Sequence, residues 1–159
     1  MKKLAVLFYA AALLAVPRIA RAGAIVEGSL GLGWQTNPTV ERMPTNIMIA
    51  PGYTFADDIL RAQLGLVGDL GDVENSKFDL ELRPMLVVKP PVFPLYLRGI
   101  LAFTNLVHSP VHVAYGGAAG LEFGALGVAF FIEAGALPRT IENQMIWVAE
   151  GRAGLHFAF

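Results

Sequence analysis

The sequence predicts an all-β fold, a closed antiparallel eight-stranded transmembrane β-barrel. Three observations predict it. The 159 residues are 55% hydrophobic and only 16% charged, with a mean hydropathy of +0.54, an apolar surplus over ordinary soluble domains. Beyond residue 22 no stretch approaches the roughly 20 continuous apolar residues of a membrane helix, so the surplus has to be placed another way. It is placed at every second residue, segment after segment, and a period of two is a strand with two unlike faces.

The last segment, 145–159, shows this best. Met145, Trp147, Ala149, Gly151, Ala153, Leu155, Phe157 and Phe159 carry no charge, whereas Glu150, Arg152 and His156 all fall on the other face. The same reading gives strands at 25–35, 47–55, 59–70, 77–88, 93–104, 111–124 and 126–137. No charged residue falls on the apolar face of any of them. Pro51 and Pro84 lie inside two of these strands, where proline removes a ladder hydrogen bond, and are read as marking bulges. The connections differ by side. Those at 56–58 and 124–125 are tight and 89–92 is Pro-rich, while 36–46, 71–76, 105–110 and 138–144 are longer and more polar. Aromatic residues gather near both strand ends, as they do at the two interfaces of a membrane.

A strand that alternates in this way and ends on an aromatic residue, here Leu155, Phe157 and Phe159, resembles the closing strand of bacterial outer-membrane β-barrels. The pattern over 23–159 is similar to the small eight-stranded barrels of the OmpA and OmpX type, with short periplasmic turns and longer external loops. The resemblance implies an outer-membrane location. It also implies outer-membrane lipid and the barrel-assembly machinery as partners, with Leu155, Phe157 and Phe159 as the assembly signal. Closure requires 25–35 to pair with 145–159, because hydrocarbon cannot satisfy a free sheet edge. A water-soluble, lipocalin-like barrel would alternate too, with its charges outside.

Residues 1–22 read as an export signal. Lys2 and Lys3 precede an apolar run from 4 to 16, and Ala20-Arg21-Ala22 offers small residues at the two positions a signal peptidase reads. Cleavage is expected before Gly23, leaving one barrel domain, 23–159. The alternative is an uncleaved anchor, which Pro17, Arg18 and Arg21 argue against.

The polar faces hold Glu27, Asp79, Glu81, Glu122, Glu133 and Glu150 with Arg61, Arg83, Arg98 and Arg152, and also His112 and His156. In an eight-stranded barrel these point into a bore just wide enough for side chains to fill. A network of ion pairs formed by Glu27, Arg61, Asp79, Glu81, Arg83, Arg98, Glu122, Glu133, Glu150, Arg152 and His156 is expected there. An ion path or proton relay is the sharper alternative. His108, Ser109 and His112 invite a hydrolytic reading, but a nucleophile needs a base in reach and a group to orient that base. Sequence adjacency establishes neither.

Several classes are excluded. A net charge of −1 leaves no basic excess for nucleic acid. Without cysteine there is no disulfide, thiolate chemistry or Cys-based metal site. No phosphate loop or zinc spacing appears, so neither a cofactor nor a metal is expected. The oligomeric state is not set by the sequence. The expected function is that of a non-enzymatic outer-membrane barrel with a polar, largely plugged lumen and a structural or surface role. A narrow solute channel, or a lipid-modifying enzyme using Ser109 and His108, are the alternatives.

Overall fold

The computed structural model describes residues 23–37, 39–70, 78–91, 93–107, 110–141 and 144–159. The expected export segment, the expected loop 71–76, and His108 and Ser109 lie outside them. The strands are β1 (Gly23–Gln35), β2 (Glu41–Arg42), β3 (Asn46–Phe55), β4 (Leu60–Asp69), β5 (Leu80–Val88), β6 (Leu95–Thr104), β7 (His112–Ala125), β8 (Val128–Ile141) and β9 (Gln144–Ala158). All but β2 form one antiparallel ring in chain order, and β9 pairs back onto β1. That seam runs from Ile25 opposite Ala158 to Gln35 opposite Val148, so the expected closure is present.

The ring is staggered. Directly paired residues lead from Gly23 through Thr54, Arg61, Val87, Arg98, Ala118, Gly135 and Glu150 back to β1 at Gly33. One circuit therefore climbs ten residues, from 23 to 33. Strands with such a stagger tilt roughly 35–45° from the barrel axis. The stagger decides which residues, remote in sequence, meet across the bore.

The alternation read from the sequence sorts inside from outside. In β1, Val26, Leu30, Leu32 and Trp34 face out and are exposed, while Ile25, Glu27 and Ser29 are buried. The exposed face of every barrel strand is apolar, with Leu64 and Leu66 on β4, Leu97 and Leu101 on β6, and Leu155 and Phe157 on β9. This is the arrangement of a barrel with lipid outside and polar groups inside.

Four expectations need correction. The segment 138–144 is not a loop, because β8 continues to Ile141 and β9 begins at Gln144. Pro138 does not end β8, since it still pairs opposite Trp147 of β9 while the β7 ladder is interrupted beside it. Pro51 and Pro84 mark gaps, not bulges. Pairing skips from Ile49–Leu66 to Gly52–Gln63, and from Leu82–Phe103 to Met85–Ile100, with equal numbers of residues on both strands. A bulge would add a residue to one strand; a missing N–H only interrupts the ladder. The β7–β8 turn is Leu126-Gly127, not Gly124-Ala125. Both turn residues have positive φ, 57° and 82°, as a type I′ hairpin requires. Leucine seldom adopts that conformation, so its turn role was hidden. Finally, the connection 36–46 contains β2, which pairs with Trp34 and Gln35 at the end of β1.

Candidate functional site

The candidate site is the barrel interior, where the inward faces converge. Its ionic groups fall into three sets along the axis.

The middle set centres on Arg98 of β6. Its two terminal nitrogens donate to both carboxylate oxygens of Glu27 on β1, at 2.9 and 2.8 Å. Gln63 on β4 adds a donor to Glu27 at 3.0 Å. Glu133 on β8 lies at ion-pair distance from Arg98 Nε, 3.3 Å, and accepts the Tyr96 hydroxyl at 2.8 Å. The guanidinium carbon sits 5.5 Å from the Tyr96 ring and 5.6 Å from that of Phe131, close enough for cation–π attraction. Glycine makes room for these rings: a Cβ at Gly120 would run into Tyr96.

Toward the loops, Arg83 on β5 donates to Glu150 on β9 at 2.8 Å and to Glu81 at 2.8 and 3.0 Å. Arg152 on β9 bonds Glu150, Asn46 at 2.6 Å and Ser29 at 3.2 Å. Its Nε lies 3.8 Å from Glu133, which links this set to the middle one.

Toward the short turns, Arg61 on β4 is held from two sides. It donates to both oxygens of Asp58 at 2.7 Å and to both oxygens of Glu122 on β7. Lys89 also reaches Glu122, at 2.5 Å, and Asp58, at 3.5 Å. His156 Nδ1 lies 3.4 Å from Glu122, yet neither ring nitrogen has a hydrogen-bond partner among the described residues. A cavity of about 360 Å³ opens here, lined among others by Thr54, Asp58, Lys89, Glu122 and His156. A second, of about 200 Å³, opens at the loop end beside Asn46, Glu81, Arg83 and Glu150.

Two of these bonds span the full bore. In the ring β1-β3-β4-β5-β6-β7-β8-β9, Arg98–Glu27 joins β6 to β1 and Arg83–Glu150 joins β5 to β9, each four places apart. Strands four places apart in a ring of eight are opposite walls, so each pair crosses the diameter.

Of the expected network, Glu27, Arg61, Glu81, Arg83, Arg98, Glu122, Glu133, Glu150 and Arg152 are brought together in these sets, with His156 beside Glu122. Asp79 has a different part. It precedes β5, and its oxygens accept the backbone N–H groups of Leu80 and Asn105. His112 begins β7 and is half-buried. Leu155, Phe157 and Phe159 all face outward and are exposed.

Sequence reasoning missed Asp58 and Lys89, which lie in turns, and Tyr96, which has the inward parity but sits between two leucines. It also missed an apolar interior. Met48, Ala50, Val67, Met85, Ile100, Ala102, Ala114 and Leu137 form a buried cluster on inward positions. Met48, Val67, Ala102 and Ala114 each lie two residues from the loop end of their strand. The interior is therefore polar only in part.

The chain is similar in structure to two solved barrels. Neisserial surface protein A (NspA) matches with a TM-score of 0.63 at 12% identity, over 87% of this chain and 99% of that one. Ail, the attachment invasion locus protein of Yersinia pestis, matches with a TM-score of 0.52 at 13% identity, over 87% of this chain and 97% of that one. The fold is that of the small eight-stranded outer-membrane barrels. No family model and no curated relative matches the chain.

Proposed function

We propose that this chain is a non-enzymatic outer-membrane barrel that works as a structural or surface-interacting element, not through its bore. The observation that carries this reading is the pair of diametric salt bridges, Arg98–Glu27 and Arg83–Glu150. A solute passing the bore would have to break buried charge pairs, and removing one partner of such a pair costs several kcal/mol. The apolar side chains of the buried cluster fill part of the bore beside these pairs. In this reading the bulk of the chain displays its outer ends at the cell surface after Sec-type export. Leu155 and Phe157 on the outward face of β9, with Phe159 just beyond it, present the assembly signal to the barrel-assembly machinery, and lipid surrounds the apolar band.

The test is a planar-bilayer recording of the purified, refolded barrel. We expect no significant conductance. Stable single-channel steps whose size changes in Arg98→Ala or Glu81→Ala would overturn the plugged-bore reading and make the chain a narrow channel.

A further inference from the structure

The short-turn rim has two unlike sides. One is the β3–β4 turn, where Ala56, Asp57 and Asp58 all have positive φ, at 52°, 55° and 71°. Aspartate tolerates that conformation and is at home in water, and Asp58 ties the turn down through Arg61 and Lys89. The other is the β7–β8 turn, four places around the ring and therefore on the opposite side. From Phe123 to Phe131 its sequence is Phe-Gly-Ala-Leu-Gly-Val-Ala-Phe-Phe, nine residues without a polar side chain.

Leu126 is the anomaly. It stands at the first position of a type I′ turn with φ of 57°, a place that favours Asn, Asp or Gly. It is also fully exposed. In water a leucine there is unfavourable twice, once for its backbone and once for its side chain, and a single change to Asn would relieve both. An apolar surrounding removes the second disadvantage. The inner side of the turn borders the rim cavity that Asp58 and Lys89 also line, and its outer side is continuous with the outward apolar wall: Phe123 pairs opposite Phe130, Val128 opposite Phe157, and all four are exposed, as is Phe159.

We infer that the β7–β8 turn is a membrane contact, with Leu126 inserted among the lipids of the leaflet on the short-turn side while the Asp57 turn opposite stands in water. The inference rests on the reading of the chain as a bilayer-spanning barrel. It seats the barrel unevenly, anchored by one turn and free at the other, as an apolar side chain buried in the headgroup–acyl boundary does for a peripheral helix. Lipid is the occupant because the turn extends a surface that already faces lipid.

The chain has no cysteine, so single-cysteine variants can be labelled with an environment-sensitive fluorophore. Leu126→Cys, Asp57→Cys and Leu64→Cys are refolded and placed one barrel per nanodisc, where both faces meet solvent and a second copy is absent. Iodide reports access from water, and phospholipids carrying a shallow or deep nitroxide report contact with lipid. We expect the label at 126 to be several-fold less quenched by iodide than the label at 57, and to be quenched by shallow nitroxide. The label at 64, outward in mid-strand, is the control and should be quenched by deep nitroxide. Equal iodide access at 126 and 57, with 64 in lipid, would overturn the inference and leave the barrel reading standing; the turn would then be open to a soluble partner. Iodide access at 64 would instead overturn the barrel reading. If Leu126→Cys does not refold, Leu126→Trp in a Trp34→Phe, Trp147→Phe background gives the same readout.

Discussion

Arg98 and Arg61 are the same residue in the same kind of setting, an inward guanidinium between two carboxylates, and they differ in their access to water. Arg98 is walled in by Glu27, Glu133, Tyr96 and Phe131, all buried or nearly so. Arg61 is as buried as Arg98, but its partner Asp58 is half-exposed and Lys89 stands at the open cavity beside it. Charge at the centre has no alternative to its protein partners. Charge at the rim can exchange a partner for water. Both arginines make bidentate contacts below 3 Å, so any difference in the energetic weight of their ion pairs has to come from depth and not from geometry.

The largest expected effect is at the centre. Arg98→Ala leaves Glu27 and Glu133 facing each other in a water-poor interior, and breaking a buried pair in this way costs about 3–5 kcal/mol. Urea unfolding of the refolded barrel in detergent micelles, followed by the gel shift between folded and unfolded forms, measures it. Removing the acid as well, in Arg98→Met with Glu27→Leu, should recover a good part of the loss, because the deficit comes from the orphaned charge. A double variant no better than the single one would place the cost in packing around Tyr96 and Phe131 instead.

How much of this was legible in the sequence follows from what a period of two can say. It assigns each side chain to a face, so the outward leucines, the inward acids and the closing seam were readable. It carries no register. Arg98 and Glu27 are 71 residues apart in sequence, and only the ten-residue stagger of the ring makes them partners. The interior cluster of Met48, Val67, Ile100 and Leu137 was written in the same parity. Apolar residues on both faces of a strand only raise its hydropathy, so parity alone does not mark them as an interior cluster. The extent of β8 was obscured by Pro138, whose missing N–H reads as a strand end but here coincides with a local gap in one ladder.

The intermediate case is Glu122, buried but next to the rim. It accepts from Arg61 and Lys89 and stands beside His156. Glu122→Gln keeps the shape and removes the charge. Arg61 retains Asp58, so the loss is limited to charge-assisted hydrogen bonds, about 2 kcal/mol. The same unfolding measurement should place it below Arg98→Ala and above Asp58→Asn. A loss matching that of Arg98→Ala would mean that water does not reach the cavity lined by Asp58 and Lys89.

The smallest effect is expected at Asp58. Its carboxylate makes two short contacts to Arg61, at 2.7 Å each, as good on paper as any pair in the barrel. Asn is the informative replacement, because it tolerates the positive φ of 71° at this position as Asp does and so isolates the charge. Asp58 is half-exposed, so water can take the place of Arg61 at its carboxylate while the buried Arg61 keeps Glu122, and the cost should stay under about 1 kcal/mol. Salt separates this case from the centre. At about 1 M salt the screening length falls to roughly 3 Å, and the difference between Asp58→Asn and the parent should vanish, while that of Arg98→Ala should persist. If Asp58→Asn costs as much as Glu122→Gln and salt leaves the cost unchanged, the rim is as dry as the centre, and depth no longer distinguishes the two arginines.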